Sequence, residues 1–234
     1  MKTTDANPPH QKVNTLKYFQ IRWPVWLALI IVALLYEALP SDLYWGPRDV
    51  LIGIVTTLIL LMMIMHWHSR IARMLGLTVN ILFTLYMIIS VNRIVAAVLQ
   101  GHIIPSDLLY SSMILWVTNI FVFAIWYWSL DAGGPHVRSL TKGHSISAFL
   151  FPQAQLCFYQ TAGLPKKILD WKPGFVDYLF LAFNTSTAFS PTDTPVLSRW
   201  AKSMCITQSL ISLTIVIMLA ARAINILSPG GVPT

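Results

Sequence analysis

Long apolar runs separated by short polar stretches dominate the chain. Five of them, residues 23–39, 50–65, 75–99, 108–130 and 204–227, are long enough to cross about 30 Å of hydrocarbon as helices. Pro24 suits the first turn of the first helix. The "DAGG" after the fourth run and the "SPGG" after the fifth are helix stops. Trp23, Trp26, Trp67, Trp126, Trp128 and Trp200 sit at or near the ends of runs, as in the aromatic belt of a bilayer protein. The pattern predicts an all-α integral membrane protein.

One stretch does not fit the series. "DYLFLAFNTSTAFSPTD", Asp177 to Asp193, begins apolar, becomes crowded with hydroxyls and is broken by Pro191. A helix over residues 175–189 would reach only about 22 Å at 1.5 Å per residue, short of a full crossing. Val176, Leu179, Phe180 and Phe183 fall at i, i+3, i+4 and i+7, predicting a packed face. Ser190-Pro191-Thr192-Asp193 then refuses regular structure. The order predicts a re-entrant half-helix whose carbonyl end and hydroxyls sit inside the membrane.

Composition agrees with the pattern. The 234 residues are 56% hydrophobic and 11% charged, against about 25% charged in soluble domains. The net charge of +7 reads as topology, not as affinity for nucleic acid. Lys and Arg crowd the N-terminal tail, the loop holding Arg70 and Arg73, and the segment holding Arg138, Lys142, Lys166, Lys167 and Lys172. The intervening loops are nearly free of them. The alternation predicts a cytoplasmic N-terminus. The domains expected are a polar tail (1–22), a four-helix membrane domain (23–131), a connector (132–174), a pore-like half-helix with the last span (175–227) and a tail (228–234). Within the connector, the apolar run 148–159, interrupted by Pro152, Gln153 and Gln155, predicts an interfacial or half-inserted helix.

Charges inside runs are costly and mark candidate sites. Glu37, Arg93 and Arg222 all lie near the outer ends of their runs, so the topology predicts that they meet as a cluster. Asn80 and Asn119 lie inside runs, where hydrogen bonding between helices is the ordinary use of an amide. Cys157 and Cys205 form no motif. His66 and His68 diverge on a helix and do not make a metal site. No catalytic set or cofactor fingerprint stands out, so neither an enzyme nor a cofactor is expected.

Asp177, Phe180, Phe183, Thr185, Thr187 and Asp193 stand in the order of the potassium-channel pore region. That region reads Asp, an apolar-aromatic helix, Phe, Thr-x-Thr, a V-G-Y-G signature and a final Asp. The resemblance covers roughly residues 174–227. Over more of its length the chain resembles a family of uncharacterised bacterial multi-span membrane proteins ending in the same pore-like block. The resemblance implies an ion-channel-like protein of a bacterial inner membrane, with several copies around an axis. Thr185, Thr187, Ser190, Thr192 and Asp193 would line a path for monovalent cations, and Asp177 would anchor the half-helix. The departure is at the filter, where Phe189, Ser190, Pro191 and Thr192 replace the glycines. Without them successive carbonyls cannot aim at an axis, so potassium selectivity is not implied. The other reading is a non-transporting structural or assembly protein of the bilayer with a degenerate pore loop.

Overall fold

The computed structural model describes residues 15–40, 53–54, 56–58, 60–61, 69–100, 105–140, 147–158, 171–191 and 193–227. For residues 15–22, 69–70, 72, 105, 139–140, 157–158 and 221–227 it describes the backbone alone. The described chain is helical: α1 (Thr15–Glu37), α2 (Ser69–Leu99), α3 (Pro105–Leu130), α4 (Pro135–Leu140), α5 (Pro152–Phe158), α6 (Phe175–Thr187) and α7 (Arg199–Leu227). Most of the second apolar run and Thr192 lie outside the described residues.

Three helical stretches, Arg73–Leu99, Ser106–Gly133 and Arg199–Ala220, are long and apolar enough to cross a membrane. They support a membrane protein. α3 is the central one, with 67% of its apolar window buried, against 28% for α2 and 22% for α7. It packs against α1, α2, α6 and α7. The exposed apolar side chains of α2 and α7, such as Leu85, Leu210 and Ile217, suit a hydrocarbon solvent.

Two prolines take places other than the pattern predicts. α1 starts at Thr15, so Pro24 lies in the helix interior rather than in the first turn. It removes one backbone hydrogen bond there. Pro152 does not interrupt the connector helix but starts it, the position where its missing N–H leaves no bond unmade.

Contacts give the helix directions. Trp26 and Leu29 share a small cavity of about 30 Å³ with Arg73 and Leu77, and further along Tyr36 stacks on Phe83 at 5.6 Å. α1 and α2 therefore run parallel. α2 and α3 run antiparallel, since Arg73 at the start of α2 donates to the Gly133 carbonyl beyond the end of α3. α3 is also antiparallel to α6 and α7. Trp128 meets Phe175 and Trp116 meets Phe183, while Tyr127 meets Cys205 and Asn119 meets Ser212.

Candidate functional site

α3 ends in a sharp break. Asp131–Gly133 forms one 3-10 turn, with Ala132, Gly133 and Gly134 at φ of 48°, 78° and 91°. A Cβ on Gly134 would sit 2.9 Å from the Ser129 carbonyl oxygen, so only glycine fits. The break turns the Asp131 side chain into the protein, where it is fully buried. One carboxylate oxygen accepts the Ala148 N–H at 2.7 Å. The other accepts the Tyr178 hydroxyl at 2.6 Å and the Ser147 hydroxyl. Arg138, also buried, donates to the main-chain carbonyls of Asp131 and Trp128 at 2.6 and 2.9 Å. Its guanidinium lies over the rings of Tyr178 and Trp128 at 5.1 and 5.8 Å, a cation–π arrangement. Burial lowers the pKa of Arg138, and the nearby Asp131 carboxylate pulls it back up. It keeps its charge throughout the working pH range.

Around this polar centre the chain forms a clamp. Phe149 pairs with Val196 in a short antiparallel bridge, with Leu150 N–H donating to the Pro195 carbonyl and Leu197 N–H to that of Ala148. The Phe149 ring packs edge-on against Tyr127, Tyr178 and Trp200, at centroid distances of 5.0, 6.2 and 5.9 Å. The start of α6 and the start of α7 thus touch the same phenyl ring. Between Tyr178 and Trp200 the chain travels along α3 and comes back.

α6 is a helix of 13 residues, about 20 Å long. The Asp177 carboxylate accepts the N–H of Gly174, its N-cap residue, at 2.7 Å, half of a capping box. Its buried face is Phe175, Tyr178, Leu181, Ala182, Thr185 and Ser186. This corrects the face expected from the sequence, since Val176, Phe180 and Phe183 are 71%, 57% and 45% exposed. The reason is physical. In hydrocarbon an apolar side chain loses little by facing outward, whereas a hydroxyl needs a partner. The polar residues therefore decide which face turns inward.

Their partners come from α3 and α7. The Gln208 side chain, fully buried on α7, donates to the Ala182 carbonyl at 2.7 Å and to Ser186 Oγ at 2.8 Å. Its Oε1 accepts the Tyr127 hydroxyl at 2.6 Å. Asn119 Nδ2 donates to Ser212 Oγ at 2.7 Å and to the Gln208 carbonyl at 3.2 Å. Ser186 Oγ lies 3.5 Å from the same nitrogen. Asn119 is twelve residues before Asp131 on α3, about 18 Å of helix. The C-terminal end of α6 is thereby held well inside the bundle.

The predicted site residues separate into groups. Thr185 is buried and donates to the Leu181 carbonyl, so it faces the interior of its own chain and does not line an axis between copies. Thr187 ends α6 and Ser190 and Asp193 follow it, and all three are exposed. Thr187 donates to the Phe183 carbonyl at 3.0 Å. Thr192 lies outside the described residues. Phe189, at a filter position, has φ of 52°, a left-handed conformation normally left to glycine. Glu37 and Arg93 are both exposed. Tyr36, beside Glu37, packs on Phe83, ten residues before Arg93, which is about 15 Å along the helix. α1 and α2 therefore carry the two at different levels, and the expected meeting is not formed by their backbones. The Arg222 side chain lies outside the described residues.

Sequence reasoning did not single out Gln208, Asp131 or Tyr178. A glutamine amid the apolar run 204–227 is the signal that could have found the first. No protein-family model, curated protein or solved structure matches the chain.

Proposed function

We propose that the chain is a channel-like integral membrane protein with a re-entrant half-helix at α6, passing monovalent cations without potassium-type selectivity. The observation that carries this reading is the shared contact with Phe149, at the start of α6 and again at the start of α7. A segment that departs from and returns to one aromatic ring, and reaches about 18 Å inward between, behaves as a re-entrant loop. The parallel α1 and α2 support a further crossing between them, since the chain has to travel back before α2 can begin. With the helices at residues 23–39, 50–65, 75–99, 108–130 and 204–227, that gives five spans. The basic residues Arg73, Arg138, Lys172 and Arg199 all cluster at the Asp131 end, supporting a cytoplasmic N-terminus in a bacterial inner membrane. Thr187, Ser190 and Asp193 would present oxygens to a cation where several copies meet.

A second reading, a structural or assembly protein of the bilayer, is favoured by one observation. Thr185 and Ser186 are consumed by hydrogen bonds within the chain, to Leu181 and from Gln208. Flux in liposomes separates the two. The channel-like reading expects purified protein to pass potassium and sodium at similar rates, with Asp193→Asn and Thr187→Val reducing both. Absence of monovalent flux from properly folded protein leaves the structural reading.

A further inference from the structure

Several threonines on the described helices outside α3 follow a rule. Thr78, Thr84, Thr185, Thr207 and Thr214 each donate to the carbonyl four residues earlier. This is how a threonine is satisfied where water is absent. α3 departs from the rule. Ser111 Oγ, Ser112 Oγ and Thr118 Oγ1 are buried, make no such bond and have no hydrogen-bond partner among the described residues. The amide oxygens of Asn119 on α3 and Asn80 on α2 are likewise buried and, among the described residues, without a hydrogen-bond partner.

Turning the amides over does not relieve them. Asn119 Nδ2 faces the Gln208 carbonyl, and Asn80 Nδ2 faces the Val122 carbonyl at 3.3 Å. A flip would set oxygen against oxygen and strand the amide protons instead. Ser111 and Thr118 are seven residues apart, as are Ser112 and Asn119. Each pair is thus two helical turns, about 10.5 Å, along one side of α3. Buried polar groups are almost always paired, with protein or with ordered water. A row of them along one helix calls for a small molecule that both donates and accepts.

We infer that α3 holds ordered water inside the membrane domain, bound by Ser111, Ser112, Thr118 and Asn119, with Asn80 across the α2 interface. Water supplies the donors that both amide oxygens lack and an acceptor for each hydroxyl proton. A cation does not fit this row, because the hydroxyl protons would still lack an acceptor and the Asn119 N–H donors lie close by. The row extends outward from the end of α6, so bound water would continue the polar line from Ser186 towards the N-terminal end of α3. The inference stands whether or not the protein conducts.

The test is hydroxyl-radical footprinting of the full chain in nanodiscs. Radicals formed at bound water oxidise the side chains beside it. Leu115 lies between the two ends of the row and is as fully buried as Val32 on α1. The expected result is oxidation of Leu115 several-fold faster than of Val32, with the excess reduced by Ser111→Ala or Thr118→Val. Ser111→Ala serves where the valine variant does not fold. Equal, slow oxidation of Leu115 and Val32 would overturn the inference, as would a rise in melting temperature on Thr118→Val, the mark of a hydroxyl buried dry.

Discussion

The Tyr178 hydroxyl donates to the Asp131 carboxylate at 2.6 Å, tying the first turn of α6 to the break that ends α3 across 47 residues of sequence. A hydrogen bond to a buried charged acceptor contributes about 1.5–3 kcal/mol. Tyr178→Phe should lose that much stability in detergent or nanodiscs, read by thermal or denaturant unfolding. Asp131→Ala should cost more, because it strands the Tyr178 hydroxyl, the Ser147 hydroxyl and the Ala148 N–H together.

Gln208 of α7 joins its helix to α3 and α6. Gln208→Leu keeps the volume roughly constant but leaves the Tyr127 hydroxyl with only Cys205 Sγ at 3.5 Å and takes the Gln208 donor from the Ala182 carbonyl. The expected loss is about 2–6 kcal/mol, at about 1–3 kcal/mol for each of the two groups. Combined with Tyr127→Phe, the two losses should fall short of additivity by at least about 0.5 kcal/mol, the signature of a shared network.

Two backbone positions predict effects of opposite sign. Phe189 holds φ of 52° and is 43% exposed. Phe189→Gly should stabilise by about 1 kcal/mol by removing the left-handed penalty. Gly134 holds φ of 91° with the Ser129 carbonyl 2.9 Å from its would-be Cβ. Gly134→Ala should therefore destabilise by about 1–3 kcal/mol. Melting temperatures of the two variants, measured side by side, check both.

The apolar runs made the long helices legible, because a bilayer forces whole-helix segments of uniform hydrophobicity. The same uniformity hid how those helices face one another. On α6 the apolar stripe at Val176, Phe180 and Phe183 suggested the packed side, by a rule learned from proteins in water. The structure turns Tyr178, Thr185 and Ser186 inward instead, since in hydrocarbon the hydroxyls are what need company. "DAGG" was legible as a helix stop through its glycines. That its aspartate would become a buried acceptor for Tyr178, Ser147 and Ala148 was not, because those partners lie 16 to 47 residues away. Asn119 was legible as a hydrogen-bonding amide, but its partners Gln208 and Ser212 were set by the packing of α3 on α7.

The sidedness of the two ends of residues 174–197 tests the central claim most directly. Gly174 and Leu197 flank it and are both exposed. Single cysteines at these positions, in a background with Cys157 and Cys205 replaced by serine, can be labelled with a membrane-impermeant maleimide in oriented vesicles. A re-entrant α6 predicts that both label from the same, cytoplasmic face. Labelling of the two from opposite faces would show that residues 175–196 cross the membrane and would contradict the account.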